Sequence, residues 1–237
     1  MNDFPYLLLD RTARVWQGFQ EMFVLKGHTL SVWAVLVVDV AQTLTASADK
    51  TIRLWEQSKL VKQYTGHTDA VRGLALIPNI GFASCSNDRF VNHISFVPVH
   101  SRSVSEIRVW TLDGDIVYTL PGHTSFVYSL ALLPSGDIVS GGEDRTARVW
   151  KDGECAQTIV HPAISVWTVS AMPNGDIVSG CSDGTVRIYS ASEERWASEE
   201  DLKKYDELIS MQAISSYVWF KSHCHYVHGD ADNKSEM

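Results

Sequence analysis

Seven residues, Asp-Arg-Thr-Ala-Arg-Val-Trp, occur at 10–16 and occur again, letter for letter, at 144–150. Two variants stand at Ser47–Trp55 (SADKTIRLW) and Cys181–Tyr189 (CSDGTVRIY). A chain that spells one heptapeptide twice is built from repeated units, and a repeat constrains the fold before any local propensity does. Set in register by Asp10, Asp49, Asp88, Asp144 and Asp183, the units step by 39, 39, 56 and 39 residues. The closing aromatics Trp16, Trp55, Trp110, Trp150 and Tyr189 keep a similar rhythm. Gly27-His28, Gly66-His67 and Gly122-His123 recur upstream, with His161 as a degenerate fourth.

A period near 40, with Gly-His early and Trp at the end, is the signature of the WD40 repeat, one four-stranded propeller blade per unit. Each unit has an apolar run after its His (VWAVLVV, VRGLALI, VYSLALL, VWTVSAM). A turn such as PSGD or PNGD follows, then a short strand ending in Ser or Thr, a tight turn carrying Asp, and a strand ending in Trp. Five-residue strands between Gly, Asn and Asp turns suit short antiparallel hairpins. The expected fold class is therefore all-β, an incomplete WD40 β-propeller of about four and a half blades with a short C-terminal helix. The partial propeller spans 1–190: a blade remnant at 1–25 and blades at 26–64, 65–120, 121–160 and 161–190. Neither strand that should precede Asp10–Trp16 is expected, because Met1–Leu9 is too short to supply them.

Within the units a polar set recurs: His28, Thr45, Asp49, Trp55; His67, Ser84, Asp88, Trp110; His123, Ser140, Asp144, Trp150; and, in the last, Ser179 with Asp183. The residue types resemble a Ser–His–Asp catalytic triad. One set per blade, in register, fits a structural role instead: a chain from Trp N–H through a hydroxyl and His to Asp, stabilising only when every member is satisfied. No catalytic residue, cofactor or metal ligand is assigned, and the chain reads as a non-enzyme.

The balance of charge narrows the partners. With 28 acidic and 20 Lys or Arg residues, net charge −8, the chain has no basic stripe to neutralise phosphates, which argues against nucleic acid. No apolar run approaches the ~20 residues of a membrane span, and MNDFPYLLLD lacks the basic start of a signal peptide. Cys85, Cys155, Cys181 and Cys224 show no CxxC spacing, which suits reduced thiols. A cytoplasmic and nuclear location follows as the expectation.

Asp88 lies 22 residues before Trp110, where Asp49 lies six before Trp55. The 16 extra residues fall at about 89–106 (RFVNHISFVPVHSRSVSE). They read as a translated intron or gene-model error, as a passive surface loop, which a hairpin tip tolerates, or as a binding loop. After Tyr189 the repeat stops. Residues 191–210, with Ser198 and Asp201 placed as an N-terminal cap, read as a helical linker. Residues 211–237 read as an irregular tail, a frameshifted or read-through terminus. His223, Cys224, His225 and His228 crowd into six residues there, unlike the spread ligand pairs of an ordered zinc site.

The stretch KDGECAQTIVHPAISVWTVSAMPNGDIVSGCSDGTVRIYSASEERWASEEDLKKYDEL, with GECAQTI and SDGTVRIYSASEERWAS running into a charged helix, resembles the end of the propeller in the phospholipase A-2-activating protein family, the Ufd/Doa-type WD40 ubiquitin-binding adaptors. GHTLSVWAVLVV, SADKTIRLW and GHTDAVRGLAL are similar to the preceding blades, so the resemblance covers about 8–209 without the insertion. It implies a seven-bladed propeller that binds ubiquitin or ubiquitylated proteins, within ubiquitin homeostasis, ubiquitin recycling and ubiquitin-dependent protein degradation. The resemblance also implies docking on an AAA ATPase of the valosin-containing-protein type. That docking belongs to downstream domains absent here, and the chain reads as a truncated form. The alternative reading is a generic WD40 scaffold or substrate receptor for another peptide.

Side chains alternate along a strand. The residues flanking the first Val after each His are accordingly the candidate partner-binding rim: Ser31 and Trp33, Ala70 and Arg72, Phe126 and Tyr128, Ser165 and Trp167. Val32, Val71, Val127 and Val166 between them should face the blade interior. Trp, Tyr and Arg are enriched at interface hot spots, and a mostly aromatic rim suits an apolar, weakly basic partner face. The same rings would also suit packing between blades.

Overall fold

A computed structural model describes residues 3–7, 10–88 and 105–215. Most of the 89–106 insertion, and the tail from 216 with its His and Cys cluster, lie outside the described residues.

The described chain forms five antiparallel sheets in sequence order. The first holds β1 (Asp3–Leu7), β2 (Thr12–Gln17) and β3 (Gln20–Lys26). The second holds β4 (Val32–Val37), β5 (Gln42–Ser47), β6 (Ile52–Glu56) and β7 (Lys59–Tyr64). The third holds β8 (Val71–Ile77), β9 (Gly81–Ser86), β10 (Ser105–Thr111) and β11 (Ile116–His123). The fourth holds β12 (Val127–Leu132), β13 (Ile138–Gly142), β14 (Thr146–Lys151) and β15 (Glu154–Val160), and the fifth β16 (Val166–Ala171), β17 (Ile177–Cys181) and β18 (Val186–Tyr189). Helix α1 (Glu199–Ser215) follows. In every sheet the strands pair in chain order, the meander that short hairpins dictate.

Three boundaries differ from the sequence reading. Asp3–Leu7 does supply one strand, paired with β2 from Asp3↔Gln17 to Leu7↔Ala13, because five residues suffice for five cross-strand pairs. The insertion ends earlier, since β10 begins at Ser105 to continue its ladder with β11. The helix runs five residues past 210, to Ser215.

The tight turns explain the recurrent Asp-x-Thr. Thr12, Thr51, Thr146 and Thr185 each donate their backbone N–H to the carboxylate two residues earlier, at 3.0, 3.1, 3.2 and 3.1 Å. The intervening Arg11, Lys50, Arg145 and Gly184 take positive φ of 69°, 72°, 68° and 77°. A local Asp bond of this kind stabilises a turn that would otherwise disfavour a residue with a Cβ.

Packing between consecutive sheets makes the core. Ile107 and Val109 of the third sheet cluster with Val127, Leu130, Ile138 and Trp150 of the fourth. Ala147 and Val149 of the fourth cluster with Val166, Val169 and Ile177 of the fifth. The same arrangement joins Ala13 and Leu25 to Val32 and Trp55. In the last sheet Val186 and Ile188, in register with Ala147 and Val149, are instead 70% and 62% exposed. Tyr205 of α1 donates its hydroxyl to Val160 O at 2.6 Å and meets Tyr189 Oη at 3.0 Å, which ties the helix to the fourth and fifth sheets.

Candidate functional site

Two sets of residues sit at the end of the sheets where β4, β8, β12 and β16 begin. The first is the polar set. Trp55 Nε1 donates to Thr45 Oγ1 at 2.8 Å, His28 Nε2 meets the same hydroxyl at 2.7 Å, and His28 Nδ1 meets Asp49 at 2.8 Å. Trp110, Ser84, His67 and Asp88 repeat the chain at 2.8, 2.7 and 2.5 Å. Trp150, Ser140, His123 and Asp144 repeat it at 2.7, 2.7 and 2.9 Å.

One proton arrangement satisfies every atom. The neutral His donates Nδ1–H to an ionised Asp, its Nε2 accepts from the hydroxyl, and the hydroxyl accepts from the indole. Burial alone would raise the Asp88 and Asp144 carboxyls. The histidine hydrogen bonds, joined by Thr68 and Thr146, outweigh it and hold both at about 2. Burial opposes and the His28 and Thr51 bonds overcome it at Asp49 as well, which lies well below the ordinary carboxylate range. Thr45, Ser84 and Ser140 are wholly buried, and each hydroxyl already accepts from an indole N–H. The set has the outline of a nucleophilic triad and the surroundings of an interior brace.

The fifth sheet departs from the pattern. His161 Nε2 meets Ser179 Oγ at 2.9 Å, but its Nδ1 turns to Ile159 O at 3.2 Å. Asp183, assigned to the set by its spacing, turns to Thr185 and Arg187, at 2.6 and 2.7 Å. Two local causes account for this correction. Arg187 competes for the carboxylate, and Tyr189 replaces the indole and spends its hydroxyl on Tyr205. Without a carboxylate partner, burial pushes the His161 pKa down to about 4. Thr51 and Thr146, which the sequence reading missed, belong to the braces: each hydroxyl bonds its Asp at 2.6 or 2.7 Å and lies 3.4 Å from the His Nδ1. Their signal was the Thr two residues after each Asp.

The second set is the rim. In each of four sheets the ladder slips by one residue. Pairing passes from Val32 to Ala34, Val71 to Gly73, Val127 to Ser129 and Val166 to Thr168. Trp33, Arg72, Tyr128 and Trp167 are thus the extra residues of four β-bulges, the device by which a strand re-aims one side chain. They meet in a row. The Arg72 guanidinium carbon lies 4.1 Å from the Trp33 ring centroid and 5.9 Å from that of Tyr128. The Tyr128 and Trp167 rings stack at 4.7 Å and 22°, and Phe126 meets Tyr128 edge-on at 6.5 Å. Trp33 and Trp167, at the two ends, are 38% and 54% exposed. The row borders a cavity of about 310 Å³, lined also by Gly73, Leu74, Ser129, Leu130 and Thr168.

The other half of the expected rim lies elsewhere. Ala70 and Ser165 are buried, at 8% and 5% exposure, and Ser31 and Phe126 are half-buried. Their carbonyls accept from the turn amides of Asn87, Ser182, Ala48 and Glu143. These positions close the Asp turns beneath the rim, because the bulge breaks the simple alternation that would have put both neighbours of each Val on one face. Val32, Val71, Val127 and Val166 are buried.

The WD domain, G-beta repeat family matches residues 19–56, 58–95, 114–151 and 153–190, more than half of the chain. The ubiquitin homeostasis protein lub1 of Schizosaccharomyces pombe is 49% identical over 159 residues, 67% of this chain and 20% of that protein. Protein DOA1 of Saccharomyces cerevisiae is 44% identical over 128 residues, 53% of this chain and 16% of that protein. The chain therefore spans a fifth or less of these relatives' length. The solved WD40 β-propeller domain of Doa1 is 43% identical and superposes with a TM-score of 0.74, covering 82% of this chain and 62% of that one. On these repeats, and on the sheets they build, the chain belongs to the WD domain, G-beta repeat family, and within it is a WD40 protein of the Doa1 and Lub1 type, the phospholipase A-2-activating protein family.

Proposed function

We propose that this chain is a non-catalytic WD40 adaptor that binds ubiquitin through the rim built on its four bulges. One observation carries the reading: Trp33, Arg72, Tyr128 and Trp167, one from each of four sheets, form a single row with exposed indoles at both ends. Large rigid side chains in a shared patch are what a protein-binding hot spot requires. The choice of ubiquitin draws on the relatives, two of which are named a ubiquitin homeostasis protein and a ubiquitin fusion degradation protein 3 homolog. The proposal assigns the polar braces to holding the turns that support the rim.

Calorimetric titration of ubiquitin into the chain tests the reading. Trp33→Ala and Trp167→Ala should each weaken binding about thirtyfold, the equivalent of a ~2 kcal/mol hot spot, with little change in melting. Early melting of both variants would make the rings packing elements. Unchanged affinity in folded variants would move the ubiquitin site elsewhere. Absence of binding by the unsubstituted chain, with another peptide partner captured by the same rim, would favour a general substrate receptor.

A further inference from the structure

We propose that Arg72 makes this rim an acceptor for a carboxylate on the partner, a chain end or an acidic side chain. The inference deepens the rim reading above and rests on the rim being the partner-facing surface.

Arg72 differs from Arg108, Arg148 and Arg187, each of which lies beside the aspartate of its own turn. Arg108 and Arg148 lie within 3.8 and 3.7 Å of Asp88 and Asp144, and Arg187 lies within 2.7 Å of Asp183. Among the described residues, no carboxylate lies within ion-pair distance of Arg72 and no acceptor takes its Nη donors. Its guanidinium is nonetheless fixed. Trp33 packs on it at 4.1 Å, Tyr128 stands at 5.9 Å, and Nε donates to the buried Asn87 Oδ1 at 3.2 Å. A guanidinium offers five donors in a rigid fork, and here the single Nε–H is used while the Nη edge is left over.

The surroundings favour an acid over other acceptors. Glu143, which interacts with Tyr128, accepts from Ser125 Oγ at 2.5 Å and lies beyond ion-pair distance of Arg72. The cavity beside the row is lined by Gly73, Leu74, Leu130 and the two indoles, together with Ser129 and Thr168. A guanidinium whose orientation is fixed matches the two oxygens of a carboxylate with its fork, and the aromatic faces beside it hold the plane of that fork. An aliphatic stem ending in a carboxylate would lay the stem on the rings and the oxygens on the Nη edge.

The test uses the full chain and small probes, so that it does not depend on ubiquitin. Acetyl-Gly-Gly with a free carboxylate and acetyl-Asp-amide are titrated while the NMR signals of the Arg72 side chain and the Trp33 and Trp167 indoles are followed. Acetyl-Gly-Gly-amide serves as the neutral control. Saturable shifts with an acid and none with the amide are expected, at least about tenfold weaker in Arg72→Gln. The acid that saturates first identifies the source. Arg72→Lys, which keeps the charge and loses the fork, should retain a weakened response. Equal shifts from the neutral amide, no shift from either acid, or full response in Arg72→Gln would overturn the proposal. If Arg72→Gln unfolds, the acid-against-amide comparison on the unsubstituted chain decides alone. Ubiquitin itself separates the two readings. Should the acids bind and ubiquitin not, the ubiquitin reading fails and the anion site stands. Should ubiquitin binding need the indoles yet be indifferent to Arg72→Gln at every salt concentration, the anion site fails and the ubiquitin reading stands.

Discussion

Replacing Asp144 by Ala removes the end of a buried hydrogen-bonded chain. The carboxylate is 3% exposed and accepts from His123 Nδ1 at 2.9 Å, Thr124 N at 2.9 Å and Thr146 Oγ1 at 2.7 Å, with Arg148 at 3.7 Å. Thr124 is exposed, so its amide finds water. His123 is wholly buried, and its Nδ1–H keeps only the distant Thr146 hydroxyl, at 3.4 Å. One orphaned buried donor costs about 1–3 kcal/mol, and loss of the Thr146 bond and turn support brings the sum to about 3 kcal/mol. For a chain of this size that is a drop of roughly 6–12 °C in melting temperature, read by circular dichroism. Asp183→Ala, whose partners are Thr185 and a partly exposed Arg187, should cost about 0.5 kcal/mol or less. Equal melting of the two variants would refute the assignment of Asp144 to an interior brace. The pH dependence carries the same sign. A carboxyl held at about 2, below its unfolded ~3.9, stabilises the fold above pH ~4 and loses that contribution as pH falls toward 2. Asp144→Ala should therefore flatten the acid limb of the stability curve.

His161 gives the complementary case: its folded pKa of about 4 lies below the ordinary ~6.5, so the unfolded chain binds the extra proton between those values. Stability should fall on acidification from pH 6.5 to 4, by on the order of 2–3 kcal/mol, and urea midpoints of His161→Gln should lack that slope. Val186 and Ile188 form an exposed apolar face on the edge strand β18, and exposed strand edges recruit other chains. The chain should self-associate in sedimentation velocity, and Val186→Lys with Ile188→Lys should shift it toward monomer. A monomeric unsubstituted chain would remove that expectation.

The repeat, the strand order and the His–Ser/Thr–Asp–Trp chemistry were legible because each rests on residue types recurring at fixed offsets. Asp49, Asp88 and Asp144 keep both the offset and the partners. Asp183 keeps the offset alone, since a neighbouring Arg187 and a Tyr in place of Trp decide where its carboxylate turns. Spacing cannot weigh that competition. The rim was half legible. Residue type picked out Trp33, Arg72, Tyr128 and Trp167, but regular alternation also placed Ala70 and Ser165 there, and four bulges put them under the turns. A bulge leaves no mark in a hydrophobic pattern that is apolar on both faces. The strand at Asp3–Leu7 was missed for a related reason: five residues with a proline carry no period long enough to read.

The central claim, that the bulge-built rim is the ubiquitin-binding surface, is tested most directly by site-specific photo-cross-linking. Benzoylphenylalanine is placed at Tyr128 in one protein and at Val40 in another. Val40 is fully exposed in the turn after β4, at the opposite end of the sheets from Trp33. Illumination with ubiquitin should give a one-to-one adduct from position 128, lost on Trp33→Ala, and none from position 40. Adducts from position 40 and none from 128 would place ubiquitin on the other face and contradict the account.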